Sequence, residues 1–259
     1  MISLVLVGAA GRMGRAVEEA ARAAGDFELR ALVDRAPLPP AGPPAPGRAA
    51  LWTDDARAVI RGRDVVIEFS SPESCRGIAA LCAERGASLV SGTSGLSAED
   101  ENVLRAAARK VPVLRASNFS LGVAALHRAL ESALKALPRG WDVEIIERHH
   151  RKKADSPSGT ALSLASLALA ARGLPAGALR HGREGRVGER PTDEIGVHAV
   201  RGGSWVGDHA VLIAGEGEWI ELRHVAQDRG AFAAGALAAA RFVARAGPGL
   251  YTLSDVLRG

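Results

Sequence analysis

Residues 148 to 153 read Arg-His-His-Arg-Lys-Lys, and the chain then passes through Ala154 to Asp155-Ser156-Pro157-Ser158-Gly159-Thr160. So dense a run of cationic and titratable side chains suits a nucleic-acid backbone, a metal ion or a small acidic molecule. A metal is disfavoured because His149 and His150 are neighbours at the end of a predicted strand, where successive side chains face opposite ways, and no cysteine or helical His-x-x-x-His partner accompanies them. Nucleic acid is disfavoured because no aromatic residue interleaves with the basic run, and the whole chain holds one Tyr and five Phe. A solvated charged turn is the plain alternative, and the residues that follow argue against it. Ser156-Pro157 is a helix-start signal, with Asp155 or Ser156 as N-cap and Pro157 at or near the first helical position. The N–H groups around Ser158, Gly159 and Thr160 should then face outward, and Gly159 lets a carboxylate come close. Backbone donors and cations would fix the carboxylates of a small dianion, while an imidazole and the Lys153 ammonium offer protons to a reacting centre. Arg148, Arg151 and Lys152 have no assigned role beyond drawing such a dianion in.

A second set of residues could hold a nucleotide. VLVGAAGRMGRAV follows a predicted strand and opens a helix, placing Gly8, Gly11 and Gly14 at three-residue intervals. Such glycines let the backbone turn tightly and bring pyrophosphate to the N–H groups of a helix N-terminus, where the dipole favours negative charge. The spacing is GxxGxxG rather than the commoner GxGxxG, because position 10 is Ala, and a strand-to-helix turn needs some glycine anyway. Asp34 lies at the end of the next predicted strand, twenty residues past Gly14, where a carboxylate can accept hydrogen bonds from an adenosine ribose. Arg35 beside it could pair with a 2′-phosphate, so NADH and NADPH are both open. Gly92-Thr93-Ser94-Gly95 and Ala116-Ser117-Asn118-Phe119 follow later strands, at the carboxyl ends where parallel sheets meet ligands, and are expected on the nicotinamide side.

These loops need a scaffold. Predicted strands at 2–7, 27–33, 65–69, 88–91 and 111–115 alternate with helices at 11–24, 73–85 and 98–109, which predicts an α/β domain built on a Rossmann-type, doubly wound parallel sheet. Past Asn118 the pattern changes to a helix over 121–137, a strand over 142–147, the basic stretch and an Ala/Leu-rich helix to Ala171. Strands at 195–199, 205–213 and 219–225 follow, separated by Gly-containing turns. That half is expected to be a smaller α+β domain with a mixed, largely antiparallel sheet. A small-residue helix over 231–246 could pack on either half. Residues 36–47 carry six prolines and can be neither helix nor central strand, so they read as a surface loop.

With 259 residues and 47% hydrophobic content, the chain can bury one large core or two smaller ones. Its charges nearly balance, and the net charge of +4 is a mild excess rather than a basic tail. Cys75 and Cys82 lie about two turns apart in one predicted helix, badly placed to bond to each other, and a reduced, cytosolic setting is expected. No cationic segment precedes an apolar stretch at the N-terminus, and the Ala-rich runs are short or broken by Arg, so no membrane span is expected.

VGAAGRMGRAV, SGTSG, SNFSLGV, EIIERHHRKKADSPSGTAL, VRGGSWVGDHAV and LYTLSDVL resemble, in order and over nearly the whole chain, the dihydrodipicolinate reductase (4-hydroxy-tetrahydrodipicolinate reductase) family of bacterial lysine and diaminopimelate biosynthesis. The resemblance implies NAD(P)H-dependent reduction of a cyclic unsaturated dicarboxylate to tetrahydrodipicolinate, by a cytoplasmic homotetramer assembled through the sheets of the second domain. It implies a dinucleotide-binding domain over 1–119, a substrate-binding and tetramerisation domain over 120–230, and a final segment, 231–259, that returns to the first domain. Carried over by position, His149 is the general acid/base and Lys153 a second proton donor, while His150, Gly159 and Thr160 hold the substrate carboxylates. Gly8, Ala9, Ala10, Gly11, Arg12 and Met13 cradle the pyrophosphate, Asp34 takes the ribose and Arg35 a 2′-phosphate. Gly92, Thr93, Ser94, Ala116, Ser117, Asn118 and Phe119 flank the nicotinamide. No metal, nucleic-acid or membrane partner is implied. The chain reads GTSG where the family pattern has GTTG and DSPSGT where it has DAPSGT, and it carries Asp34 where Glu is frequent. The last departure leaves the choice between NADH and NADPH open.

Two rival classes share the nucleotide fold. An aspartate-semialdehyde-type dehydrogenase needs a nucleophilic cysteine, yet Cys75 and Cys82 fall in a sheet-covering helix with Arg76 as their one basic neighbour in position to help. An NAD(P)-sensing regulator would have no need of His149 or Lys153.

Overall fold

The computed structural model describes residues 1–35 and 50–258, so the proline-rich stretch 36–47 lies outside the described residues. The chain forms two compact units, Met1–Leu121 with Arg229–Gly259, and Gly122–Asp228. In chain order the elements begin with β1 (Ile2–Val7), α1 (Arg12–Ala24), β2 (Phe27–Val33), β3 (Leu51–Thr53), α2 (Ala56–Val59), β4 (Val65–Glu68) and α3 (Pro72–Arg85). They continue with β5 (Ser88–Ser91), α4 (Ala98–Ala108), β6 (Pro112–Arg115), α5 (Leu121–Ala136), β7 (Asp142–His149) and α6 (Gly159–Arg172). The last are β8 (Leu179–His181), β9 (Ile195–Arg201), β10 (Gly207–Gly215), β11 (Glu218–Ala226), α7 (Gly230–Val243), β12 (Gly249–Tyr251) and α8 (Leu253–Val256).

In the first unit seven strands form one sheet in the order β12-β6-β5-β4-β1-β2-β3, and every pairing is parallel. Leu4 to Val7 and Val65 to Ile67 are uninterrupted apolar runs, none more than 4% exposed, as expected of strands covered on both faces. Sequence signals start the covering helices. The Ser71 hydroxyl caps α3 ahead of Pro72, and a reciprocal Ser97–Asp100 pair caps α4. Helix α7 packs against α1 and the β4–β6 part of the sheet, with Arg241 bound to Asp26 at 2.7 Å. Strand order reverses between β1 and β4, so the turns after these strands open side by side, where sheets of this kind take ligands. Gly8 has a φ of 78°, and a side chain there would overlap the Phe69 carbonyl, so this close approach of the two turns requires glycine. Strands β3, β8 and β12 have three residues each. They are too short to carry a periodicity signal, and the open edge of a neighbouring strand selects them.

The second unit has a five-stranded sheet in the order β11-β10-β7-β9-β8, antiparallel through β11, β10 and β7 and parallel through β7, β9 and β8. Alternation along β7 puts Val143, Ile145, Glu147 and His149 on the buried face and Asp142, Glu144, Ile146 and Arg148 on the other. Leu126, Leu130 and Leu134 of α5 and Leu164 and Ala168 of α6 pack on the apolar part of the buried face. On the opposite face Glu144 binds Arg183, Arg190 and His198. Burial pushes the Glu144 carboxyl up, but these donors outweigh it and bring it down to about 2. Strand β7 continues through His149 rather than ending at Glu147, because residues up to His149 find ladder partners on β9 as far as Arg201. Strand β10 begins at Gly207, opposite Ala226, rather than at Trp205.

Leu164 is fully buried within this core. Leu164→Ala is expected to destabilise the protein by about 3 kcal/mol in urea denaturation, from lost burial together with the cavity left behind.

Candidate active site

Glu147 and His149 are two residues apart on a strand and so share a face. The carboxylate is fully enclosed, and its Oε2 lies 2.6 Å from His149 Nδ1. Arg201, opposite His149 in the register, donates to both Glu147 oxygens at 2.7 and 2.8 Å, and the Ser158 N–H donates to Oε1 at 2.9 Å. Burial pushes the Glu147 carboxyl up, but the hydrogen bonds from Arg201, His149 and Ser158 prevail and hold it below the ordinary glutamate value. A carboxylate can only accept, so His149 donates its Nδ1–H. The ring nitrogen left to exchange a proton with a ligand is Nε2.

His209 stands opposite Glu147 on β10, and its ring meets that of His149 edge to face at 5.1 Å. Ser158 ties both to helix α6. Its hydroxyl accepts the Ala161 N–H at 3.2 Å and shares a hydrogen bond with His209 Nε2 at 3.0 Å. Burial, followed by the neighbouring His149, pushes His209 down to about 4. The sequence predicts Asp155 or Ser156 as the cap and Pro157 in the first turn. Instead Ser158 is the N-cap and Pro157 precedes it, because Ser158 is the residue held by Glu147, His209 and Ala161 together.

The other predicted residues of this stretch divide. His150 donates its N–H to the Trp205 carbonyl at 2.8 Å, and its Nδ1 is buried with no hydrogen-bond partner among the described residues. Gly159 opens α6 with nothing within 4 Å of the place a side chain would take, and Thr160 follows it in the first turn. Lys153 binds both oxygens of Asp155 at 2.8 Å. Arg148 turns to the opposite face, where it shares Asp208 with Arg223, and Arg151 and Lys152 are exposed. Glu147, Ser158, Arg201 and His209 are absent from the sequence-derived site. Glu147 had a signal, its two-residue spacing from a strand histidine; Arg201 and His209 depend on strand register, which no local pattern reveals.

In the first unit the turn after β1 leads into α1, whose N-cap, Gly11, makes no side-chain cap and whose first turn holds no acid. Helices α2, α3 and α4 are each capped by a side chain, from Asp55, Ser71 and Ser97. An uncapped first turn behind a glycine bend fits a pyrophosphate, whose oxygens would accept the N–H groups. Ala10, Gly11 and Arg12 are exposed and Gly8 and Met13 half-buried, whereas Ala9 is buried with its N–H on the Val33 carbonyl at 3.3 Å. Asp34 accepts the N–H groups of Ala10 and Arg35, each at 2.7 Å, so the acid sits directly on the glycine turn. The exposed Arg35 guanidinium lies 4.0 Å from Glu73. After β5, a side chain at Gly92 would collide with the Phe69 ring, which in turn meets Phe119 edge to face at 5.3 Å. Thr93 is 2% exposed, so Ser94 carries the accessible hydroxyl of that loop. Ala116 and Asn118 are half-buried and Ser117 exposed; Asn118 turns its carbonyl to the Ser120 N–H at 2.8 Å. Burial, then the nearby Glu68 charge, pushes the Cys75 thiol up to about 12, and Cys82 is fully buried. Neither offers the thiolate that a semialdehyde-type dehydrogenase requires.

The family models described as dihydrodipicolinate reductase, N-terminus, and dihydrodipicolinate reductase, C-terminus, match residues 2–119 and 122–257. The chain is 47% identical to a 4-hydroxy-tetrahydrodipicolinate reductase of Thermomicrobium roseum, with 99% of this chain and 100% of that one covered. It is 41% identical to the protein of the same name from Nitrosomonas eutropha, with 99% and 98% covered. Among solved structures, the dipicolinate-bound dihydrodipicolinate reductase from Paenisporosarcina sp. TG-14 is similar at a TM-score of 0.81 and 26% identity, over 98% of this chain and 99% of that one.

His209 generates a pH dependence with a definite sign. Its folded value of about 4 lies below the ordinary 6.5, so its contribution to stability is complete above 6.5 and is lost as pH falls from there toward 4. The loss should reach the order of 3 kcal/mol in denaturant titrations across that window. His209→Gln, which keeps a hydrogen-bonding group beside Ser158, is expected to flatten the dependence relative to the unaltered protein.

Proposed function

Because the chain belongs to the dihydrodipicolinate reductase family, we propose that its His149 is the general acid/base of the family's reaction. The protein is an NAD(P)H-dependent oxidoreductase acting as a 4-hydroxy-tetrahydrodipicolinate reductase, and its product is the cyclic dicarboxylate tetrahydrodipicolinate of lysine and diaminopimelate biosynthesis. NAD(P)H supplies the hydride. The remaining requirement, a proton for the carbon next to the one reduced, falls to the second unit. The observation that carries the reading is the enclosed Glu147 at 2.6 Å from His149 Nδ1. That contact fixes the tautomer and the orientation of the ring, so Nε2 is the atom that delivers the proton.

The substrate's carboxylates are assigned to His150, with its buried unpartnered Nδ1, and to the first turn of α6 at Gly159 and Thr160. Lys153 is the second proton donor, and a dianion entering beside it competes with Asp155 for the ammonium. Gly8 to Met13 take the pyrophosphate, Asp34 the ribose, and Arg35 a 2′-phosphate when NADPH is used. Gly92 to Ser94 and Ala116 to Phe119 take the nicotinamide. A sensor without catalysis would leave the Glu147–His149–Arg201 arrangement without a purpose.

We assign the face of the second sheet opposite α5 and α6 to subunit contact in a homotetramer. Val200, Trp219 and Val225 lie there with 39, 60 and 52% of their surface exposed. The assembly works in the cytoplasm, where the free thiols of Cys75 and Cys82 stay reduced. Among the described residues no helix is long and apolar enough to cross a membrane.

In a coupled assay that supplies the product of dihydrodipicolinate synthase and follows NADH and NADPH oxidation, His149→Ala and Lys153→Ala should each lower turnover by roughly two to four orders of magnitude, with NADH binding nearly intact. Rates close to those of the unaltered protein in both variants would sink the assignment. Arg35→Ala is expected to raise the KM for NADPH more than that for NADH, and equal effects would rule out Arg35 as the phosphate contact.

A further inference from the structure

Glu68 takes no part in the chemistry described above, yet it is fully buried at the carboxyl end of β4, next to the point where the strand order reverses. Its carboxylate gathers donors from two loops. From the turn after β4, the Ser70 N–H donates to Oε1 at 2.8 Å and the Ser70 hydroxyl at 2.5 Å. From the end of β5 and the loop beyond it, the Ser91 hydroxyl donates to Oε2 at 3.0 Å and the Thr93 hydroxyl to Oε1. Thr93 Oγ1 in turn accepts the Ser70 N–H at 2.9 Å, so this hydroxyl is engaged both as donor and as acceptor.

These donors are three hydroxyls and a backbone N–H, all neutral, and a carboxylate buried among neutral groups is expensive compared with an apolar side chain. Joining β4 to β5 does not demand it, because the ladder already pairs Val65 to Glu68 with Ser88 to Ser91. What the ladder leaves undetermined is the course of the two loops after the strands end. Those loops carry Phe69 and Gly92, which lie against one another; Phe69 also abuts Gly8 through its carbonyl and Phe119 through its ring. The turns after β1, β4, β5 and β6 therefore lean on a single seam whose anchor is Glu68.

We propose that Glu68 is a positioning residue for the nicotinamide half of the cofactor. By clamping Ser70 to Thr93 it holds the turns after β4 and β5 in one relative arrangement, and the Thr93 side chain serves this clamp while the backbone of Gly92 to Ser94 is left to meet the nicotinamide. The proposal rests on the cofactor assignment given above.

The test compares NADH with ADP-ribose, which lacks the nicotinamide, in titrations of the full chain carrying Glu68→Ala, Glu68→Gln or Thr93→Val, with thermal unfolding measured alongside. Glu68→Ala and Thr93→Val should weaken NADH by about tenfold while ADP-ribose stays within about twofold, the loss of one or two hydrogen bonds acting on one end of the ligand. Glu68→Gln keeps an oxygen for Ser70 and offers its amide to Ser91, and should recover most of the NADH affinity. Should Glu68→Ala not fold, Thr93→Val, of nearly unchanged shape, decides the matter. Equal weakening of both ligands in Thr93→Val, or no weakening of NADH, would overturn the proposal. A wild-type protein that binds neither ligand would overturn the cofactor assignment instead.

Discussion

A carboxylate with no access to water keeps its charge only if protein groups replace the water, and Glu147 imposes that condition on the whole second unit. Arg201 covers both oxygens, His149 lies on one of them, and the Ser158 N–H reaches the other. These donors come from β9, from β7 itself and from the residue that caps α6. Removing any one leaves a buried charge short of a partner, so strand register, helix start and imidazole orientation have to be satisfied together. The same condition explains why Ser158 rather than Asp155 or Ser156 begins the helix.

The sheet beneath this cluster changes character along its length. Val143 and Ile145 on β7, Ile195 and Val197 on β9, and Ile213 and Val211 on β10 form an apolar half under α5 and α6. Continuing along the same face, Glu147 and His149, Arg201, and His209 form a polar half. Strand β10 runs against β7, so its polar residue lies near the start of the strand and theirs lie near the end. The apolar half provides the stability that the polar half, with its desolvated charge and neutral His209, does not supply.

Among the described residues each unit buries one glutamate near the carboxyl end of a central strand, and each solves the desolvation problem differently. Glu147 has an arginine and holds an imidazole. Glu68 has hydroxyls and a backbone N–H and holds loops. The difference fits the position of each: the first carboxylate sits beside the imidazole that we propose as the acid/base, the second beside turns that run past glycines with no room for a side chain.

Much of the fold was open to reading from the amino-acid order. Apolar runs bounded by glycine, serine and proline mark β1, β2, β5, α3 and α4, because burial on both faces and helix capping are local requirements written in adjacent residues. The glycine turn before α1 could be read for the same reason, and the His149–His150 pair could be singled out as a candidate because its residue types stand side by side in the chain. The three-residue strands could not, because they exist only where a neighbouring strand leaves an edge. Nor could the distant partners of the two glutamates, Arg201 and Ser158 for Glu147 and Ser91 and Thr93 for Glu68, which become neighbours only through strand register and the course of the loops. Residue types and spacing thus determined which chemistry the chain can perform, while tertiary structure decided which nitrogen of His149 is free, which serine starts α6 and which hydroxyls are already engaged, because hydrogen-bond partners are set by distance in space and not by separation along the chain.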